Sequence, residues 1–107
     1  MKHHDEKLTY ELASAAVSLS QALLTLQEAD EVKRFLEDIC TPAEIEAMVD
    51  RWRVVQLLDQ GLSYREIRDM TEVSVTTIGR VARFMEMGSG GYRIALERLK
   101  EARETRT

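Results

Sequence analysis

The sequence predicts an all-α protein, and three observations support that class. Apolar residues recur every three to four positions along most of the chain, as they do on one face of a helix. Aromatic residues make up only 6% of the chain, and a composition rich in Leu, Ala, Glu and Arg favours helix over sheet. A single proline among 107 residues interrupts few helices. We therefore expect six helices in one domain over residues 1–107.

The first two helices carry an apolar seam that needs a surface to cover it. A helix over about residues 6–27 has apolar residues at alternating steps of four and three: Leu8, Leu12, Ala15, Leu19, Ala22 and Leu26. The next helix, from about Asp30 to Cys40, has one apolar face: Val32, Phe35, Leu36 and Ile39. Burial within the chain and dimerisation can both cover such a seam. We expect the segment of about residues 6–40 to contain dimerisation helices.

The third helix has a well-marked beginning. Thr41 can cap it, Pro42 lacks the N–H that would be unpaired there, and Glu44 completes a capping box. A wide apolar stripe follows: Ile45, Met48, Val49, Trp52, Val55 and Leu58. Gly61 is a natural C-cap. Together the stripe and the N-terminal seam exceed what a chain this short can bury, so we expect a homodimer.

The charge is unevenly distributed along the chain. The net charge is −4, but residues 1–50 hold four basic and eleven acidic residues, whereas residues 51–107 hold eleven basic and eight acidic ones. Ten of those eleven basic residues are arginine. Phosphate binding depends on local cation density, so an acidic total does not exclude DNA. An ordinary solvated surface is the alternative explanation of the same distribution.

Residues 63–87 predict a helix-turn-helix. Ser63 and Glu66 form a capping box for a short helix to about Met70, residues 71–73 form a turn, and Ser74 caps a second helix. Small residues near the start of that second helix would let it approach the major groove of DNA closely. The candidate DNA-facing residues are Arg65, Arg68, Val75, Thr76, Thr77, Gly79, Arg80 and Arg83.

Three residues depart from a generic helix-turn-helix, and an ordinary helical hairpin is the alternative. Arg68 stands where a small residue is usual, and Thr71 stands where Leu is usual. Glu72 stands where Gly is usual, and a non-glycine residue in a left-handed turn costs about 1 kcal/mol. After this segment, Gly88-Ser89-Gly90-Gly91 breaks the chain, and a last helix is expected over about residues 92–103.

Several of these segments, in their order and spacing, resemble the tryptophan repressor superfamily. They are Thr41–Glu44, Arg51–Val55, Ser63–Glu66 and Thr77–Arg80, and the ending Met87–Arg93 is similar to the YerC/YecD-type branch. The resemblance implies a six-helix Trp-repressor-like fold in an intertwined homodimer. It also implies a sequence-specific DNA-binding transcriptional regulator of the repressor type, whose partners are double-stranded DNA and a second copy of the chain.

The resemblance also implies an effector site, in which two arginines clamp an indole ring. Those arginines match Arg51 and Arg80, and a capping threonine matches Thr41. Val81 stands where the repressor has Gly, and Phe84 stands where it has a Ser that helps to hold the amino acid. Bulk at both positions predicts that L-tryptophan is not the effector. The sequence leaves the identity of the effector unknown. Ordinary surface or ion-paired roles for the two arginines are the alternative.

No residue pattern predicts catalysis, a cofactor or a metal site. His3 and His4 lack a third ligand. The lone Cys40 has no nearby His to activate it, so we expect a buried structural thiol. The absence of a signal peptide or a long apolar run predicts a cytoplasmic protein. The rival to a DNA-binding regulator is a dimeric helical adaptor that kept the fold but lost DNA binding.

Overall fold

The computed structural model describes residues 2–106, with side chains for residues 6–105, and within that part it contains helices and no strand. In chain order they are α1 (Lys2–Leu24), α2 (Ala29–Ile39), α3 (Pro42–Asp59), α4 (Tyr64–Thr71), α5 (Val75–Met87) and α6 (Gly91–Arg106). The predicted all-α class with six helices is confirmed. Over the same residues, no helix combines the length and the hydrophobicity needed to cross a membrane.

The chain divides into two compact units after Pro42. The first contains α1 and α2, and the second contains α3 to α6 apart from Pro42. That residues 1–107 form one domain stays a prediction.

In the N-terminal unit, α1 ends at Leu24, three residues earlier than predicted. The backbone N–H groups of Thr25 and Leu26 donate to carbonyls three residues back, at 3.1 and 3.2 Å, which is the tighter pattern of a closing turn. The Thr25 hydroxyl also donates to the Ala22 carbonyl at 2.6 Å. Leu26 therefore lies beyond α1, and the prediction that it continues the helical seam is wrong.

Most of the remaining seam is exposed, and only Ala22 in it is half-buried. α2 begins at Ala29, where the Glu31 carboxylate accepts hydrogen bonds from the backbone N–H of Gln27 and Glu28 at 2.7 and 3.2 Å. No residue from 6 to 42 is buried, and Leu12 is 63% exposed. Cys40 is half-buried, so the prediction of a buried thiol is wrong for the single chain.

The C-terminal unit contains the hydrophobic core. Its buried residues are Val54, Val55, Ile67, Val73, Ile78, Val81 and Leu96. Trp52 on α3 and Tyr92 on α6 are half-buried against this core, with ring centroids 6.4 Å apart. Lys100 of α6 also forms an ion pair with Asp59 of α3 at 3.0 Å. These two contacts join α3 and α6 within the C-terminal unit.

Candidate nucleic-acid interface

Helices α4 and α5 begin at the two caps that the sequence predicts. The Ser63 hydroxyl oxygen accepts from the backbone N–H of Glu66 at 3.2 Å, and the Glu66 carboxylate accepts from the Ser63 hydroxyl at 3.0 Å. The Ser74 hydroxyl oxygen accepts from the backbone N–H of Thr77 at 3.2 Å. Each cap satisfies an N–H that the first turn of a helix leaves unpaired. Both helix starts are thereby fixed.

The turn between α4 and α5 adopts the left-handed conformation that the sequence predicts. Glu72 has φ 63° and ψ 11°, and its N–H donates to the Arg68 carbonyl at 2.8 Å. The Thr71 hydroxyl donates to the Ile67 carbonyl at 2.7 Å and accepts from the Val73 N–H at 3.1 Å. Thr71 thus stabilises the turn with hydrogen bonds where a generic motif has an apolar leucine. Buried side chains on α4, in the turn and on α5 fix the pair: Ile67, Val73 and Ile78.

The four arginines of this helix pair are all exposed. Arg65 and Arg68 lie on α4, and Arg80 and Arg83 lie on α5. Arg68 forms an ion pair with Asp69 at 3.3 Å, but both side chains are more than half exposed, so the pair is weak. Among the residues that the structure describes, Arg65 and Arg83 form no ion pair. Two arginines of the helix pair are therefore free to bind an anion, although four exposed carboxylates on the same segment balance its net charge: Glu66, Asp69, Glu72 and Glu86.

The predicted contact residues of α5 fall into two groups. Val75 and Thr76 are exposed at its first turn, whereas Thr77 and Gly79 are half-buried. The Ser74 hydroxyl donates to the Thr77 hydroxyl oxygen at 3.1 Å. Farther along α5 an open groove of about 660 Å³ is lined by Gly79, Arg80, Arg83, Phe84 and Met87. Most of the predicted DNA-facing residues of α5 are thus accessible, while Thr77 is held in a hydrogen bond.

A second, smaller cleft lies where the resemblance implies an effector site. It has a volume of about 210 Å³ and is lined by Arg51, Thr77, Arg80, Val81, Phe84 and Tyr92. The structure therefore brings Arg51 and Arg80 to one cleft. Thr41 belongs to the N-terminal unit, where it directly precedes α3. The cleft is below the 300–1,000 Å³ typical of small-molecule sites.

Two bulky residues shape this cleft. Val81 is only 3% exposed and belongs to the hydrophobic core. The Arg80 guanidinium carbon lies 5.6 Å from the centroid of the Phe84 ring, a cation–π distance. Phe84 thus offers an aromatic face to Arg80 from within the same helix.

Sequence reasoning missed three residues around this site. Tyr92 lines the small cleft from α6. The Arg53 side chain donates to the Met70 carbonyl at 3.4 Å, and the Arg93 side chain donates to the Met85 carbonyl at 3.1 Å. These contacts join residues on different helices, and no local pattern in the sequence marks them.

The described side chains include no cluster of three or more metal-ligating residues. His3 and His4, the weak metal-binding pair of the sequence, have side chains outside the described residues.

The fold and the site define an all-helical protein built around a capped helix-turn-helix pair. The sequence model of the family described as Trp repressor protein matches residues 15–100, and the chain belongs to this family. The predicted family is confirmed. Over 83 residues the chain is 37% identical to the uncharacterized protein YerC of Bacillus subtilis (strain 168), a match that covers 78% of this chain and 80% of YerC.

Two solved structures share the fold. A TrpR-like protein from Eubacterium eligens ATCC 27750 is 38% identical and superposes with a TM-score of 0.76. The match covers 81% of this chain and 90% of that one. A candidate Trp repressor from Staphylococcus aureus is 33% identical, with a TM-score of 0.76 over 81% of this chain and 87% of that one.

Proposed function

We propose that the chain is a sequence-specific DNA-binding transcriptional regulator that reads duplex DNA with the α4–α5 pair. The observation that supports this proposal most is the set of exposed arginines on two capped helices, because phosphate binding needs accessible cations in a fixed arrangement. Membership in the Trp repressor family supports the same role. This role needs no catalytic residue and places the chain with DNA in the cytoplasm.

In the proposed complex, α5 enters the major groove by its N-terminal end. Val75 and Thr76 are exposed there, and their methyl groups can contact thymine while the threonine hydroxyl bonds a base edge. Gly79, one turn farther on, allows a close approach of the helix backbone. Arg65 and Arg68 on α4 bind phosphates beside the groove, and Arg80 and Arg83 bind phosphates along α5.

We further propose that the functional unit is a homodimer on a two-fold symmetric site. The described side chains of α1 and α2 include no buried residue, so packing within this helix pair contributes little stability. Leu8, Leu12 and Leu19 on α1 are 46%, 63% and 43% exposed, so a second chain has apolar surface to cover. Sedimentation at micromolar concentration should give twice the chain mass, and a folded monomer there would exclude the dimer.

The proposed effector is an unidentified small molecule other than L-tryptophan. The cleft of about 210 Å³ is smaller than most small-molecule sites, and the buried Val81 lies on its wall where the repressor has glycine. The Phe84 ring lies in the same cleft, with its centroid 5.6 Å from the Arg80 guanidinium carbon. Arg51 and Arg80 remain the residues that would bind the charged part of such a molecule.

Selection from a random-sequence duplex pool tests DNA binding directly. We expect the intact protein to enrich one family of palindromic sequences, with an affinity that falls steeply with salt because bound arginines release counterions. Enrichment of no sequence, or retention independent of salt, would favour a helical adaptor that lacks DNA binding.

Two kinds of substitution then separate the roles of the DNA-facing residues. Arg65→Ala should weaken binding to every duplex alike, since it removes a cation that binds phosphate. Thr76→Ala and Thr77→Ala should be compared on single-base variants of the selected duplex. The threonine that reads a base edge should lose about 1–3 kcal/mol of discrimination at one position. Because Thr77 already shares a hydrogen bond with Ser74, we expect the larger loss at Thr76.

A further inference from the structure

Arg93 of α6 binds the C-terminal end of α5. Its Nε donates to the Met85 carbonyl at 3.1 Å, and that carbonyl is among the last four of α5, which have no partner within the helix. The neighbouring Phe84 carbonyl is taken by the Gly88 N–H at 3.0 Å. A cation at this end also interacts favourably with the helix dipole. Arg93 therefore acts as a cap on α5 that comes from another helix.

Arg53 of α3 repeats this arrangement on α4. Its Nη2 donates to the Met70 carbonyl at 3.4 Å, again among the last four carbonyls of the helix. Two other carbonyls near this end, those of Ile67 and Arg68, are taken by Thr71 and Glu72 within the turn itself. Each helix of the α4–α5 pair is thus held at its C-terminal end by an arginine of a flanking helix.

The two flanking helices are themselves joined. Trp52 and Tyr92 are in ring contact, and each is the sequence neighbour of one capping arginine. The Lys100–Asp59 ion pair links the same two helices. α3 and α6 are therefore linked at two points, and the two arginines connect them to both helices that the proposed function places on DNA.

We infer that Arg53 and Arg93 are positioning residues that set the orientation of α4 and α5 for DNA and do not themselves bind phosphate. This inference rests on the proposed function. Each of these two side chains already donates to a helix carbonyl, whereas Arg65 and Arg83 form no hydrogen bond or ion pair within the described part of the chain. Met85 also lies ten residues beyond Val75, about 15 Å along a helix, so Arg93 caps the end of α5 opposite to the one that enters the groove. Residues 51–107 contain ten arginines, and we assign these two to the support of α4 and α5.

The test compares Arg53→Met and Arg93→Met with a matched control, Arg98→Met, on the duplex that the intact protein selects. Arg98 lies on α6, is exposed and has no hydrogen bond or ion pair within the described part of the chain. Loss of a capping hydrogen bond should weaken DNA binding about threefold to tenfold. The slope of log affinity against log salt should stay at the wild-type value, since the protein still neutralises the same number of phosphates. Arg98→Met should change affinity less than twofold.

Two outcomes would overturn the inference. If one substitution reduces the magnitude of the salt slope by about 0.9, that arginine neutralises a phosphate. If Arg53→Met or Arg93→Met binds the duplex as tightly as Arg98→Met does, that arginine does not position its helix for DNA. Arg93→Lys and Arg53→Lys, which keep the charge and one donor, should recover part of the affinity at an unchanged slope. If a methionine variant does not fold, the affinity and salt slope of the matching lysine variant decide the question.

Amide hydrogen exchange gives a readout that does not depend on DNA. Arg93→Met should speed exchange at the last turn of α5 while Arg98→Met leaves it unchanged, and equal exchange in both variants would also overturn the inference. If the intact protein selects no duplex, the proposed function fails while the cap is still judged by exchange.

Discussion

Replacing Gly79 by Ala should make the protein more stable and a weaker DNA binder at the same time. Gly79 lies inside α5, where alanine is favoured over glycine by about 1 kcal/mol. A Cβ at this position would lie 3.8 Å from Cε2 of Tyr64, an ordinary van der Waals distance, so packing should not cancel the gain. For a domain of this size the melting temperature should rise by about 4–8 °C. If α5 approaches DNA at Gly79, the added methyl group should cost about 1–3 kcal/mol of binding free energy.

Thermal unfolding and titration with the selected duplex measure the two effects on one variant. Gly91→Ala is the matched control, because Gly91 opens α6 and a Cβ there meets no atom within 4 Å. It should leave DNA affinity unchanged. Unchanged affinity in Gly79→Ala would show that this part of α5 does not approach DNA closely. A lower melting temperature would refute the packing argument itself.

Three further changes have defined outcomes. Glu72→Gly should raise the free energy of unfolding by up to about 1 kcal/mol, because glycine adopts the left-handed conformation without strain. The greater freedom of glycine in the unfolded chain offsets part of this increase. A lower free energy of unfolding in a urea melt would contradict this. Thr71→Val should lower the free energy of unfolding by about 1–3 kcal/mol, because the N–H of buried Val73 loses its acceptor; Thr71→Ser should restore it, and an unaffected valine variant would show that the hydroxyl contributes nothing. Millimolar L-tryptophan should give no saturable heat in calorimetry and no shift in melting. Phe84→Ser removes the aromatic ring beside Arg80 and should be the variant that gains weak binding. Micromolar binding by the unaltered protein would show that the cleft does admit an indole.

The helix starts could be predicted from the sequence because a cap is a local interaction. Ser63 and Ser74 are each three residues from the N–H that they satisfy, so the whole motif fits in one short segment. The left-handed Glu72 could also be predicted, from its place in the turn. The end of α1 could not, because no glycine or proline marks it and the apolar seam continues to Leu26 beyond the last helical residue.

The finer features of the site depend on contacts between helices, which a sequence pattern does not contain. The resemblance to a known family predicts that Arg51 and Arg80 share a site, and they line one cleft. It gives no means of predicting that Thr77 is hydrogen-bonded to Ser74. The caps provided by Arg53 and Arg93 depend on where α3 and α6 lie in the C-terminal unit. The sequence around an exposed arginine does not show whether its side chain caps a helix or binds a phosphate.

The lack of any buried residue between 6 and 42 has a consequence for gene dosage. In the proposed dimer, the apolar surface of this unit is buried only when two chains meet, so the amount of competent regulator depends on the abundance of the chain by mass action. While most chains are unpaired, doubling their number raises the number of dimers about fourfold, since association is second order in chain concentration. Occupancy of the target sites would then rise more than proportionally with the concentration of the chain, even without a small-molecule effector.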